Sequence, residues 1–119
     1  MREVWRSRFR IHGSSLALPW PRVAACETVG PAYRSVGRVR RADEASVLQC
    51  GLSGLGQVTW QGRLYPVQPG QVLLTPVGDP EVTYGHGGRG EPWTFVFCSF
   101  HGLDANVRRL RDQHGPVWD

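Results

Sequence analysis

The stretch GQVLLTPVGDPE, Gly70 to Glu81, contains one short strand-like segment between two turn signals. Pro69 and Gly70 favour a turn, the following residues to Pro76 are rich in Val and Leu, and PVGDPE again contains turn formers. Turn signals recur about every ten residues between Gly30 and Gly90, and this spacing is typical of an all-β chain.

Six strands are predicted on either side of these turns. They are VLQCGLSG (47–54), GQVTW (56–60), RLYPV (63–67), QVLLTP (71–76), EVTYG (81–85) and PWTFVFCSF (92–100). Gln61 and Gly62 are expected to close a tight hairpin. Because open strand edges invite aggregation, such a run of strands is expected to close into a small barrel or a double-sheet jelly roll.

The last of these strands is apolar on both faces. Because side chains alternate along a strand, one face is expected to carry Trp93, Phe95, Phe97 and Ser99, and the other Thr94, Val96, Cys98 and Phe100. This pattern predicts a strand buried on both sides, with a lined cavity on one face and a packed layer on the other.

The two ends of the chain look different from the middle. Residues 1–20 show no clear period and are predicted to form an amino-terminal arm, followed by a barrel over 21–102. LDANVRRLRDQ (103–113) predicts a helix with Asp104 as N-cap and Val107 and Leu110 on one face. Residues 103–119 are therefore expected to begin a helical region that continues beyond Asp119.

Charge is distributed unevenly along the 119 residues. Residues 1–41 contain nine Arg and two acidic residues, whereas residues 42–119 contain five Arg and eight acidic residues. Neither a helix-turn-helix pattern nor zinc-finger spacing accompanies the basic half, so direct DNA binding by this chain is not expected. Three cysteines without metal-ligand spacing are predicted to be reduced core residues. The absence of a signal-like or membrane-spanning apolar run predicts a cytoplasmic protein.

The opening stretch resembles the second sequence motif of the cupin superfamily. Gly70, Pro76 and Gly78 stand at the motif's spacing, but Glu81 occupies the position where cupins place a metal-binding histidine. In the first cupin motif the glutamate position falls on Val47, and the histidine pair falls on Arg41 and Asp43 or on Arg40 and Ala42. One carboxylate cannot hold a transition metal alone, so the resemblance implies a cupin-like double-stranded β-helix without a metal or other cofactor.

Residues 47–102 are also similar to the amino-terminal effector-binding domain of AraC-family transcription regulators. The matching features occur in order: the Gly54-x-Gly56 turn, a hairpin glycine, a Pro-Gly step before aliphatics, the Pro-x-Gly loop, a tyrosine, and an aromatic strand that closes with Phe-x-Gly. The resemblance implies a barrel that binds a small polar effector, for which a sugar or related metabolite is expected. It also implies a homodimer, and DNA binding only through a carboxy-terminal domain absent from these residues.

Five of the seven ligand-binding candidates follow from this resemblance, while Glu81 comes from the cupin motif and Gln49 shares the inward parity of Val47 on its strand. Phe97 falls where arabinose-binding members stack an indole on the sugar, and Phe95 falls at a nearby polar ring position. The matching tyrosine is Tyr84, and the matching arginine is Arg38 or Arg40. Glu81 is expected to point into the barrel, with one of these arginines, Tyr84 or Gln49 as its partner, because an unpaired buried carboxylate is costly. His86 is predicted to be an exposed loop residue.

No Ser-His-Asp, Cys-His or paired-carboxylate arrangement indicates catalysis, so the chain is not expected to be an enzyme. The alternative is a small metal-dependent cupin enzyme, a dioxygenase or sugar isomerase, with a displaced site formed by His86, His101 and Glu81. A stand-alone sugar-binding or dimerisation module without any DNA-binding domain is a third hypothesis.

Overall fold

Two antiparallel sheets make up most of the chain in the computed structural model, which describes residues 2–10, 18–40, 43–88 and 90–119. In chain order the elements are β1 (Arg2–Arg8), β2 (Trp20–Val29), β3 (Arg34–Val36), β4 (Ser46–Ser53), β5 (Gly56–Trp60), β6 (Arg63–Val67), β7 (Val72–Pro76), β8 (Val82–His86), β9 (Trp93–His101), α1 (Asp104–His114) and β10 (Val117–Trp118). One sheet has the order β1-β2-β9-β4-β7-β10 and the other β3-β8-β5-β6. No helix in these ranges is long and apolar enough to cross a bilayer.

The six strands predicted between residues 47 and 100 are all confirmed, with every boundary within one residue of the expectation. The hairpin at Gln61 and Gly62 is confirmed as well. Their φ angles are 52° and 76°, and two positive φ values in a two-residue loop define the turn whose twist matches the flanking strands.

One core joins the two sheets. Leu73, Trp93 and Phe95 from the six-stranded sheet pack in the same cluster as Val58 and Val67 from the four-stranded sheet. These five side chains are fully buried. The double-sheet jelly roll predicted from the turn spacing is therefore confirmed, and the space between the sheets is where a cavity can form.

The arm predicted over residues 1–20 contains a strand that the sequence did not indicate. β1 pairs with β2 at the sheet edge, with Arg6 opposite Ala25 and Arg8 opposite Val23. Most of its side chains are exposed, so main-chain hydrogen bonds rather than apolar alternation hold it in place. Residues 11–17 of the predicted arm lie outside the described residues.

The predicted packed layer over the outer face of β9 is wrong. Thr94, Val96, Cys98 and Phe100 are only half-buried, whereas Trp93, Phe95 and Ser99 on the inner face are buried. Cys50 and Cys98 are likewise half-buried free thiols, so of the three predicted core cysteines only Cys26 is buried.

The helix is confirmed, but its cap and its buried face differ from the prediction. Leu103 is the N-cap residue and makes no side-chain capping bond, while Asp104 lies in the first turn. Val107 and Arg111 are the buried pair, and Leu110 is 37% exposed. After the helix the chain returns to the sheet, because β10 pairs with β7.

Candidate functional site

A cavity of about 440 Å³ lies between the two sheets. Two rows of residues from the six-stranded sheet form much of its floor, because residues paired across antiparallel strands lie on the same face. The first row runs from Arg6 through Ala25 and Phe97 to Gln49, and the second from Arg8 through Val23 and Ser99 to Val47. All of these residues except Ala25 line the cavity.

A local irregularity in β2 adds a further charged side chain to this floor. The pairing of β2 with β9 shifts register between Pro21 and Val23. Successive residues of a regular strand point to opposite faces, but at this shift both Arg22 and Val23 line the cavity.

The opposite wall comes from the four-stranded sheet and the loops beside it. Tyr84 lies on β8, Tyr33 and Arg40 flank β3, and Val77 follows β7. Burial raises the pKa of the Tyr33 phenol far above its ordinary value and also raises the pKa of Tyr84. Both phenols are therefore neutral at physiological pH and can serve as hydrogen-bonding groups.

Two of the four arginines that line the cavity share one carboxylate. Arg40 Nη2 lies 2.9 Å from Asp43 Oδ2, and Arg22 Nη1 lies 3.4 Å from Asp43 Oδ1. Burial alone would raise the pKa of Asp43, but the Ala45 N–H and the two guanidinium groups outweigh this effect and lower it. Asp43 is thus ionised and fixes both arginines at the cavity wall.

The other two arginines come from β1. Arg6 pairs with Glu3 and lies 3.8 Å from Glu27, and its guanidinium stands 5.9 Å from the centre of the Phe97 ring. Burial raises the pKa of Glu27, with Arg6 opposing this effect and Glu3 reinforcing it. Arg8 forms no ion pair with any other described residue.

Gln49 has an unsatisfied polar group. Gln49 is 1% exposed, and its Nε2 makes no hydrogen bond of good geometry among the described residues, although the amide lies close enough to the Tyr33 phenol to oppose the rise of that group's pKa. A buried amide donor without an acceptor costs free energy, and here it lines the cavity wall. An acceptor atom on a bound molecule would satisfy it.

Four of the seven residues predicted from sequence line this cavity, namely Arg40, Gln49, Tyr84 and Phe97. The other three do not. Arg38 is exposed on the turn after β3. Phe95 is fully buried in the aromatic core, where its ring centre lies 4.5 Å from that of Trp93 and 5.5 Å from that of Tyr33.

The prediction that Glu81 points into the barrel is wrong. Glu81 is exposed in the turn before β8. The inward carboxylate of this loop is Asp79, which is 3% exposed and accepts a hydrogen bond from the Glu81 backbone N–H at 2.9 Å. The turn between Val77 and β8 therefore places the carboxylate two residues earlier than the motif alignment indicates.

His86 is also not the exposed loop residue that was predicted. It ends β8 at 2% exposure, its Nδ1 accepts from the Gly88 N–H, and its Nε2 lies 3.0 Å from the Glu91 carbonyl oxygen. Within the described ranges no three His, Cys, Asp or Glu side chains converge to hold a metal ion. Residues 41 and 42 are two of the positions that align with the histidine pair of the first cupin motif, and they lie outside those ranges.

No sequence pattern singled out the other polar lining residues of the cavity, which are Arg6, Arg8, Arg22, Glu27, Tyr33 and Ser99. The signal for the first three was the arginine excess of residues 1–41. Some of these arginines line an internal cavity. A charge count along the chain cannot distinguish such a lining from a basic outer surface.

Comparisons with known proteins identify the fold. Neither a protein-family model nor a curated protein matches this chain. Among solved structures, the chain is similar to the protein YhaK from Escherichia coli, with a TM-score of 0.61 and 16% identity over 84% of this chain and 44% of that one. It is also similar to a Cupin 2 conserved barrel domain protein from Salinispora arenicola, with a TM-score of 0.53 and 16% identity over 92% and 83% of the two chains.

The fold is therefore a cupin barrel, as the second-motif resemblance implies. This chain spans less than half the length of the YhaK chain. At this level of identity the similarity carries fold and no activity.

Proposed function

We propose that this chain is the ligand-sensing domain of an AraC-type transcription regulator. It binds a small polar effector in a metal-free cupin barrel and passes the signal to a helix-turn-helix domain outside these 119 residues. The observation that supports the proposal most is that Arg40, Tyr84 and Phe97, chosen from the AraC-like resemblance, line one cavity together with Gln49.

The cavity lining is suited to binding rather than to chemistry. It offers guanidinium groups, an amide donor and neutral phenols around a volume within the range of small-molecule sites. Nucleophilic catalysis would need a nucleophile with an adjacent base, and metal-dependent catalysis would need a metal. In this proposal the protein is not an enzyme, uses no cofactor, works in the cytoplasm, and reaches DNA only through the other domain.

The strands that supply the cavity lining indicate how effector binding is coupled to the arrangement of the subunits. Arg6 and Arg8 belong to β1, the edge strand, whereas the rest of the lining belongs to the barrel. An effector that contacts both favours the state in which β1 is paired, and in a homodimer that preference can select one arrangement of the subunits. A coupling free energy of about 1–3 kcal/mol is the usual size of such a switch.

The direct test is to read the gene beyond the codon for Asp119 and then assay the whole product. We expect two helix-turn-helix patterns and a reporter whose expression changes with the effector. A stop codon directly after Asp119 would remove transcriptional control and leave a stand-alone binding module.

Thermal melting of the protein distinguishes the proposed metal-free effector-binding domain from the alternative, a metal-dependent cupin enzyme. We expect an effector to stabilise the fold by about 2.7 kcal/mol at a hundred times its dissociation constant, and Zn, Fe, Mn or Ni to have no specific effect. Stoichiometric metal in the purified protein, together with turnover that is lost on chelation, would favour the enzyme instead.

A further inference from the structure

The cavity wall carries more positive than negative charge. Four guanidinium groups line it, and three carboxylates pair with them: Glu3, Glu27 and Asp43. Among the described residues, one positive charge therefore remains in excess even when all three carboxylates are ionised. A neutral ligand would leave that charge without a counter-charge, whereas a monoanion would balance it.

The uncompensated charge can be assigned to particular side chains. Arg8 is an exposed residue that lines the cavity and has no acidic partner in the described part of the chain. Arg22 makes only long contacts, 3.4 Å to Asp43 and 3.3 Å from Nε to the Ser99 hydroxyl oxygen. Both guanidinium groups keep N–H donors free for a ligand, and such donors bind carboxylates well.

A second, independent observation also indicates a ligand oxygen. The Gln49 Nε2 donor is buried and lacks an acceptor, and Gln49 lies directly opposite Phe97 across β4 and β9. The amide therefore lies beside an aromatic ring in the row that begins with Arg6. A ligand that reaches from Arg8 and Arg22 to Gln49 needs an anionic group and a further acceptor atom.

We propose that the effector is a small organic monocarboxylate, of the size of a sugar acid, rather than a neutral sugar. Its carboxylate is bound by Arg8 and Arg22, and another of its oxygen atoms accepts from Gln49 Nε2. Val23, Val47 and Phe97 pack against its carbon skeleton. This inference rests on the effector-binding function proposed above.

Matched pairs of ligands test the charge requirement by isothermal titration calorimetry. Galacturonate and galactose, and glucuronate and glucose, differ only in the group at C6, while 4-hydroxybenzoate and 4-hydroxybenzyl alcohol extend the comparison to an aromatic skeleton. We expect at least one acid to bind at least tenfold more tightly than its neutral partner. We also expect its affinity to fall as salt is added, because salt screens the charge interaction.

Variants test the assignment of residues. Arg8→Gln should weaken binding of the acid about 10- to 100-fold, the worth of one hydrogen bond to a charged group. Gln49→Leu removes the unsatisfied donor without unfolding the barrel and should also weaken binding. Glu27→Gln removes a negative charge from the wall and should strengthen binding. Arg109→Gln is the matched control, since Arg109 is exposed on α1 and loses the same charge far from the lining.

Several results would overturn the inference. Equal affinity within every pair, or binding of the neutral member alone, would show that the effector is not a carboxylate, while the effector-binding function would stand. Binding of glucose 6-phosphate or inorganic phosphate alone would replace the carboxylate with a phosphate. Failure of every acid to bind at millimolar concentration would also reject it. A stop codon directly after Asp119 would reject only the proposed transcriptional control. Failure of the carboxylate proposal can therefore be distinguished from failure of the proposed function.

Discussion

Arg111 Nη1 lies 2.5 Å from Asp79 Oδ2, and both side chains are only 4% exposed. The pair joins the helix to the loop after β7, the same loop that the opening sequence stretch encodes. Arg111 Nη1 also lies 3.2 Å from the Thr75 hydroxyl oxygen, and the guanidinium stands 4.8 Å from the centre of the Trp60 ring. This buried pair fixes the helix on the barrel, where the sequence predicts an apolar contact through Leu110.

Removing one member of this pair should destabilise the protein strongly. Asp79→Ala leaves Arg111 buried and without its carboxylate, which costs about 3–5 kcal/mol of unfolding free energy. Arg108→Ala is the control, because Arg108 approaches the same carboxylate at 3.4 Å from a side chain that is 44% exposed and should cost about 1 kcal/mol or less. Urea denaturation measures both changes, and equal losses would contradict the central role of Arg111.

Asp79 should also contribute to the acid sensitivity of the fold. Burial alone would raise its pKa, but the Glu81 N–H and the charges of Arg111 and Arg108 outweigh this effect and hold the pKa below the ordinary value of 3.8. The stability from its ionised form is therefore present above pH 3.8 and is lost as the pH falls through the folded-state value.

Asp79→Asn should accordingly lower stability at neutral pH and reduce the slope of stability against pH in the acid range. Denaturation series at about pH 7, 5 and 3 on both proteins measure this slope. Asp43, whose pKa is also lowered, remains in the variant and keeps part of the acid sensitivity. An unchanged slope would show that Asp79 titrates alike in the folded and unfolded chain.

Glu27 should behave in the opposite way. Its folded-state pKa is raised from 4.5, mainly by burial, so its favourable contribution is present at low pH and is lost as the pH rises through the folded value. Glu27→Gln should therefore equal or exceed the wild type in stability at pH 7. Glu3→Gln is the control, since Glu3 is exposed. A clear loss of stability at pH 7 in Glu27→Gln alone would show that the Arg6 contact dominates.

Gly56 is required by the packing of a neighbouring ring. A Cβ at this position would lie 2.2 Å from the Trp93 ring, which is fully buried and cannot move away. Gly56→Ala should cost about 1–3 kcal/mol, the usual range for overpacking a core. Gly30→Ala places its methyl group in open space and should change stability by about 0.5 kcal/mol or less. Similar melting temperatures for the two variants would contradict this packing.

The three thiols should react at different rates. Cys50 and Cys98 are half-buried on the outer sheet face, while Cys26 is buried. Burial raises the pKa of Cys98, which slows its reaction relative to a free thiol because the thiolate is the nucleophile. Alkylation of the native protein followed by peptide mass analysis should label Cys50 and Cys98 before Cys26. Labelling of Cys26 first would contradict the observed difference in burial.

The strands from Ser46 to His101 follow from local sequence patterns. Glycine-rich turns, β-branched and aromatic runs, and the Gln61-Gly62 hairpin are short-range signals that act over a few residues, so they specify strands and their boundaries. The AraC-like resemblance selected Arg40, Tyr84 and Phe97, and alternation along β4 selected Gln49, because alternation fixes which side chains of a strand share a face.

What those strand faces contact depends on residues that are far apart in the sequence. Pairing with β2 makes a strand of the arm, and the register shift near Arg22 turns two successive residues inward. Glu81 and Asp79 are two residues apart, and the geometry of one turn leaves the first in solvent and brings the second to Arg111. Contacts between residues far apart in sequence set strand pairing, burial of charge and the cavity, because their free energy depends on neighbours that no local pattern records.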